Sequence, residues 1–265
     1  MQAKSFVNPG LIFLAVGVLV LAIVLSLPPV PQDPSYHAFA DQREFWDIPN
    51  FLNVVSNLPF LVVGLLGLRF VLRHGEDRRT FWDRVERWPF LVLFIGVGLT
   101  AFGSGYYHLA PSNDRLVWDR LPMAITFMAF FASVIAERIR LEAGVWLLGP
   151  LVLLGIGSVM NWRQTDDLRL YAVVQFYPLV IIPIMLWLCP PRYQGIGYIW
   201  GALGWYVLAK LLELHAVDHG ILAMGEVVSG HTLKHLAASA GAFWVYLYIT
   251  RRRPAQAISH DQNRI

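Results

Sequence analysis

The stretch WPFLVLFIGVGLTAFGSGYYHLA, residues 88–110, runs without a single Asp, Glu, Lys or Arg. A helix needs about 20 mostly apolar residues to cross the hydrocarbon core, and in lipid only helices or closed barrels satisfy every backbone group. The stretch therefore predicts a transmembrane helix over 88–109. Ser104 and His108 near its end are four residues apart and share one helical face. Working outward, similar runs predict spans at roughly 10–27, 51–72, 117–136, 145–160, 170–189, 197–216 and 231–249, eight in all, with seven as the fallback.

Composition agrees with this reading. Of the 265 residues, 56% are hydrophobic and only 15% charged, with a mean hydropathy of +0.51. A soluble domain carries closer to a quarter charged residues, so the polar surface is too small to wrap the apolar content in water. The net charge of +3 is no nucleic-acid footprint. Cys189 is the lone cysteine, which excludes an internal disulfide and a thiolate cluster; any metal must be held by His and carboxylates.

The fold class read from the sequence is all-α, a polytopic helical membrane bundle. It divides into an N-terminal transmembrane helix (1–30), a membrane domain (31–250) and a basic tail (251–265). The first run is followed by Leu27-Pro28-Pro29-Val30-Pro31, without a small-x-small cleavage pattern, and is read as a retained helix. With the N-terminus inside, thirteen Lys and Arg fall in the inner segments and five in the outer ones, which places both termini in the cytoplasm and favours an even number of spans. Residues 73–87 read as a solvated cytoplasmic loop, and Arg251-Arg252-Arg253 as a stop-transfer anchor.

Ionisable groups at membrane depth are costly and mark function by default. Here they cluster. The third span ends in Ser104 and His108; after a turn that includes Asp114, the fourth opens with Asp119 and Arg120; the last begins with His231 and His235, one turn apart. The predicted topology brings all three to the outer face. Three imidazoles and an open fourth position suit a catalytic zinc. Asp119 is a candidate general base or ligand-orienting group, or else a helix cap. Ser104 is a candidate oxyanion donor or ligand support, or else an interhelical hydrogen bond. Lys210, Glu213, His215, Asp218 and His219 form a second cluster, in which Lys210 and Glu213 can pair, Glu213 or Asp218 can orient a ligand histidine, and Lys234 can pair with one of the acids.

Ser104-x-x-x-His108, then Asp119 with Leu121-Pro122-Met123, then His231-x-x-x-His235, together with Glu44-Phe45-Trp46 and Asn53-Val54-Val55-Ser56-Asn57, resemble the alkaline ceramidase family. That family lies in a superfamily that also contains the progestin and adiponectin receptors. The resemblance spans about residues 36–250 and implies a seven-helix core, leaving the first run as an additional helix. It further implies zinc on His108, His231 and His235, Asp119 as general base with Ser104 in support, and cleavage of a ceramide-type amide into amine and fatty acid. A calcium site on Asp41, Glu44, Asp47 and Asn50 is the remaining implication. The expected function is thus a zinc-dependent amidase whose lipid substrate enters from the bilayer. The alternative is a receptor-like or transport protein that binds a lipid or relays protons. An intramembrane serine protease wants Gly-x-Ser-Gly, and position 102 is Phe.

Overall fold

The computed structural model describes residues 9–225 and 227–255, apart from the side chain of His215. The expected helical bundle forms. Its helices are α1 (Pro9–Ser26), α2 (Phe51–Val55), α3 (Leu58–His74), α4 (Arg87–Leu109), α5 (Asn113–Arg138), α6 (Leu141–Thr165), α7 (Arg169–Leu188), α8 (Ile196–Leu212), α9 (His215–Ala223) and α10 (Gly230–Arg251). Each of the eight predicted spans falls on a helix. Among the described residues, six segments are long and apolar enough to cross a membrane, α2 and α3 counting as one. Helix α8 has 17 residues, and α10 is longer but carries His231, Lys234 and His235 in its first turns. The chain is a multi-pass membrane protein.

Two boundaries differ from the sequence reading. Helix α5 starts at Asn113, four residues before the predicted span, because Ser112 Oγ caps it by accepting from Arg115 N at 3.3 Å, so Asp119 and Arg120 lie inside the helix. The span expected at 197–216 stops at Leu212, and Leu214 takes an extended conformation before α9 begins. Asp114, read as turn chemistry, pairs with Arg163.

Close helix approach sets the positions of the polar residues. Pro122, inside α5, has no N–H to give the Trp118 carbonyl four residues back. Gly103 of α4 lies against that carbonyl, where a Cβ would stand 2.0 Å from the oxygen. Only glycine lets α4 and α5 come this near, which brings Ser104 and Asp119 side by side. At the start of α10, Ser229 caps the helix, and a Cβ on Gly230 would stand 2.8 Å from Asp218 Cα and from the Leu212 carbonyl oxygen.

Helix α1 stands apart from the core. None of its residues is buried, and it leans on α7, where Tyr177 packs on Gly17 and donates to the Phe13 carbonyl at 2.6 Å. The linker behind it is fastened to the α6–α7 loop: Leu168 N donates to Val30 O at 2.8 Å, Gln32 N to Asp166 Oδ1 at 3.1 Å and Arg169 Nη1 to Leu25 O at 2.8 Å.

At the end of the bundle away from the histidines, the structure corrects two readings. Arg252 is buried and is more than a stop-transfer anchor. Its guanidinium lies 3.5 Å from Glu137 and 3.7 Å from Glu86, among Phe81, Phe90, Tyr193 and Tyr248. The 73–87 segment is not wholly a solvated loop either: Phe81 and Glu86 are buried, and Glu86 accepts from Tyr193 Oη and from Trp82 N. Buried charge with nearby opposite charge is stable only as a unit, which explains why the segment folds back under the bundle. Most of the predicted tail, residues 256–265, lies outside the described residues.

Candidate metal centre

The end of α4 and the start of α10 meet. Three imidazoles come together there: the ring centroids of His108 and His231 are 5.0 Å apart, those of His108 and His235 4.9 Å, and those of His231 and His235 4.8 Å. All three residues are buried, and one nitrogen from each lies within 4.8 Å of the others. Both ring nitrogens of His108 and Nε2 of His231 are buried without a hydrogen-bond partner. Unpaired buried polar atoms are costly in a folded protein. A cluster of them, all good metal donors, fits a metal ion.

The surrounding residues fix these rings. Ser56 Oγ lies 2.8 Å from His235 Nδ1, which leaves Nε2 of that ring to face a ligand. Asn53 accepts from Thr232 Oγ1 at 2.9 Å, tying the short helix α2 to the first turn of α10. Asn50 Nδ2 donates to the His108 carbonyl at 2.9 Å. The Phe39 ring lies over His108 and His231, with centroids 4.8 and 4.4 Å away, and keeps that side apolar.

Ser104 and Asp119 are buried beside the cluster, and the Ser104 hydroxyl is placed to donate to the Asp119 carboxylate. Both line, with His235, a cavity that runs between the helices. Its deeper wall is apolar and includes Val97, Phe130, Ile182, Leu203 and Val245.

Glu213 is surrounded. It accepts from Lys210, from Lys234 at 2.6 Å and from Tyr36 Oη at 3.0 Å, so the expected Lys210–Glu213 pair forms and Lys234 joins it. Asp218 is also held, but its oxygens accept the backbone N–H groups of His231 at 2.7 Å and Ala40 at 3.0 Å. It anchors the start of α10 rather than a ligand ring. His219 is half-buried, and the side chain of His215 lies outside the described residues.

The expected calcium ligands do not assemble. Both oxygens of Asp41 are taken by the Arg43 guanidinium at 2.7 Å each. Burial alone would raise the Asp41 carboxyl, yet its hydrogen bonds from Arg43 hold it below the usual carboxylate range, as an ion already paired. Asn50 is spent on His108, while Glu44 and Asp47 are exposed. Among the described residues, the histidines are the one group arranged to hold a metal.

Sequence reasoning found the five central residues but assigned no role to Ser56, Asn53, Tyr36 or Arg120. The Asn53–Asn57 block carried a signal in its family resemblance. Tyr36 and Arg120 carried none, since their partners are distant in sequence. A model of the family described as Ceramidase matches residues 46–189, taking in Ser104, His108 and Asp119 and ending before α10. No curated protein matches the chain.

Proposed function

The chain belongs to the Ceramidase family, and on that premise we propose that it is a zinc-dependent membrane amidase that cleaves a ceramide-like N-acyl lipid to a free fatty acid and an amine. The observation that carries this reading is the group of three buried imidazoles, two of them with unpartnered nitrogens, near Asp119 on the wall of a largely apolar cavity.

His108, His231 and His235 would hold the zinc, with Ser56 keeping His235 turned toward it. When bound, zinc supplies Lewis-acid polarisation of the amide carbonyl and acidification of water. Asp119 acts as general base: a carboxylate oxygen takes the proton of the attacking water and passes it to the leaving nitrogen as the carbon–nitrogen bond breaks. The hydroxyl remains on the acyl carbon, giving a fatty acid, and the proton goes to the amine. Ser104 stands beside the Asp119 carboxylate and is placed to support it by donating from its hydroxyl.

The cavity supports an acyl substrate, because its deep wall offers hydrophobic surface to a chain of methylenes, each worth about 0.8 kcal/mol on burial. Helices α7 and α8 both line it and approach one another sparingly, which suits entry from the bilayer. The arginine distribution supports cytoplasmic termini and a site toward the outer face.

The test is to purify the chain in neutral detergent, measure its metal content, and follow fatty acid and amine release from N-acyl lipids. Release in equal amounts, lost on chelation and restored by zinc, is expected. Asp119→Asn is expected to retain metal while losing turnover. A zinc-loaded protein that cleaves no N-acyl lipid overturns the amidase reading and favours a receptor-like or transport role.

A further inference from the structure

Arg120 is buried on α5, next to Asp119, and the reaction just described does not use it. Its guanidinium is caged by aromatic rings: the carbon lies 4.0 Å from the Trp162 ring centroid, 4.9 Å from Tyr171 and 5.7 Å from Tyr36. Nη2 donates to Gln32 Oε1 at 2.6 Å, whereas Nη1 is buried without a hydrogen-bond partner. Among the described residues no carboxylate forms an ion pair with it. Glu213 is shared by Lys210 and Lys234, and Asp167 is engaged by Arg169.

A buried cation without a counter-ion is costly, and aromatic faces recover only part of that cost. If Arg120 served only to hold the linker through Gln32, a neutral donor would suffice. Instead, Arg120 borders a cavity lined also by Tyr36, Asp119, Tyr171, Gln175 and Lys210. Asp119, Met123, Gln175, Lys210 and Glu213 line this cavity and the apolar one, so the two meet at the proposed base. Around the junction, three cations (Arg120, Lys210, Lys234) face two carboxylates (Asp119, Glu213).

We propose that this second cavity receives an acidic group on the amine half of the substrate, a carboxylate, phosphate or sulfonate, with Arg120 as its specificity-determining residue. The proposal rests on the amidase reading for its division of the substrate. The acyl chain fills the apolar cavity, the amide lies at Asp119, and the amine half extends toward Arg120. A planar guanidinium with an unused N–H matches an oxyanion in charge and shape.

Two measurements test it. The first compares hydrolysis of an N-acyl amino acid with that of its neutral carboxamide analogue, the acyl chain being the same. Wild type is expected to prefer the acid by about tenfold or more in kcat/KM, a preference that collapses toward unity in Arg120→Gln and is intermediate in Arg120→Lys. Equal kcat/KM for the two in wild type overturns the proposal.

The second needs no turnover: protection from thermal unfolding in neutral detergent by decyl phosphate is compared with that by decanol. Half-saturation at a concentration at least about tenfold lower for the phosphate, lost in Arg120→Gln, supports the pocket; equal binding overturns it. If no amide is cleaved but decyl phosphate binds through Arg120, the amidase reading fails and the anion pocket stands. Cleavage without headgroup preference, with equal binding of the two amphiphiles, means the reverse. Should Arg120→Gln fail to fold, the wild-type comparisons of headgroup and amphiphile decide.

Discussion

Two buried arginines, one toward each end of the bundle, occupy similar aromatic cages and differ in what completes them. Arg252 sits 3.9 Å from the Tyr193 ring centroid and 5.0 Å from those of Phe81 and Phe90, with Glu137 and Glu86 at 3.5 and 3.7 Å. Arg120 has Trp162, Tyr171 and Tyr36 around it, one amide oxygen, and no paired carboxylate. In the first region the cations and carboxylates lie within ion-pair range of one another: Arg252, Arg138 and Arg192 surround Glu137 and Glu86 and hold the α3–α4 segment, α5, the α7–α8 loop and the end of α10 together. In the second region Arg120 has no carboxylate in ion-pair range, and its Nη1, both ring nitrogens of His108 and Nε2 of His231 lack hydrogen-bond partners. A buried cation held by carboxylates is architecture, and one left without an ion pair points to a ligand.

Substitutions can break this contrast. The largest effect is expected at the open end: His231→Ala should lower amide hydrolysis by about three orders of magnitude or more and remove bound metal while helical content is retained, read by metal analysis and circular dichroism. Retained metal with full turnover would show that the histidines are a packed polar cluster. At the closed end, Arg252→Met removes the cation shared by Glu86 and Glu137, which keep only Arg192 and Arg138, and should cost about 3 kcal/mol of stability without changing metal content. The counterpart, Arg120→Gln, strands no carboxylate and should cost less in a thermal melt. If Arg120→Gln proves the more damaging, the two cages do not differ as argued.

A smaller effect sharpens the description of the metal centre. Ser56→Ala removes the nearer hydrogen-bond partner of His235 Nδ1, leaving Asn57 Nδ2 at 3.5 Å, and should weaken zinc binding by about 10-fold, measured by competition with a chelator. The smallest effect concerns the strap behind α1. Hydrogen bonds from Arg169 hold the Asp167 carboxyl down to about 2, and the same carboxylate accepts from Val30 N at 3.4 Å. A depressed carboxyl contributes stability above its ordinary value of 3.8, and that contribution is lost as pH falls from there toward about 2. Limited proteolysis of residues 27–35 by an acid protease should therefore accelerate over that window, and Asp167→Asn should flatten the profile.

The spans were legible because lipid imposes long apolar runs, and the histidines because an ionisable residue in such a run stands out. What the sequence hid is pairing across distance. Arg252 looked like one of three anchoring arginines, since nothing in Arg251-Arg252-Arg253 says which one turns inward; its partners lie at positions 86 and 137. Asp41 looked like a cation ligand until Arg43, two residues on, was seen to occupy both its oxygens. Arg120 carried no signal of its own, because its guanidinium turns toward Trp162 and Tyr171, more than forty residues along the chain. The α8–α9 break was missed because Leu214 interrupts the helix through its backbone, without a glycine or proline to mark it.

His108 comes from the middle of the chain, and His231 and His235 from its last helix. During synthesis the centre therefore cannot be assembled until the chain has been made through His235 and α10 has packed. An incomplete chain would carry one of the three imidazoles and could not hold the ion in the same way. An ion bridging α4 and α10 would then cross-link segments separated by more than a hundred residues, removing conformational freedom from the unfolded chain as a covalent tie would. Lipid-cleaving capacity would thus arise as a late product of biosynthesis, with the membrane shielded from any partly made enzyme.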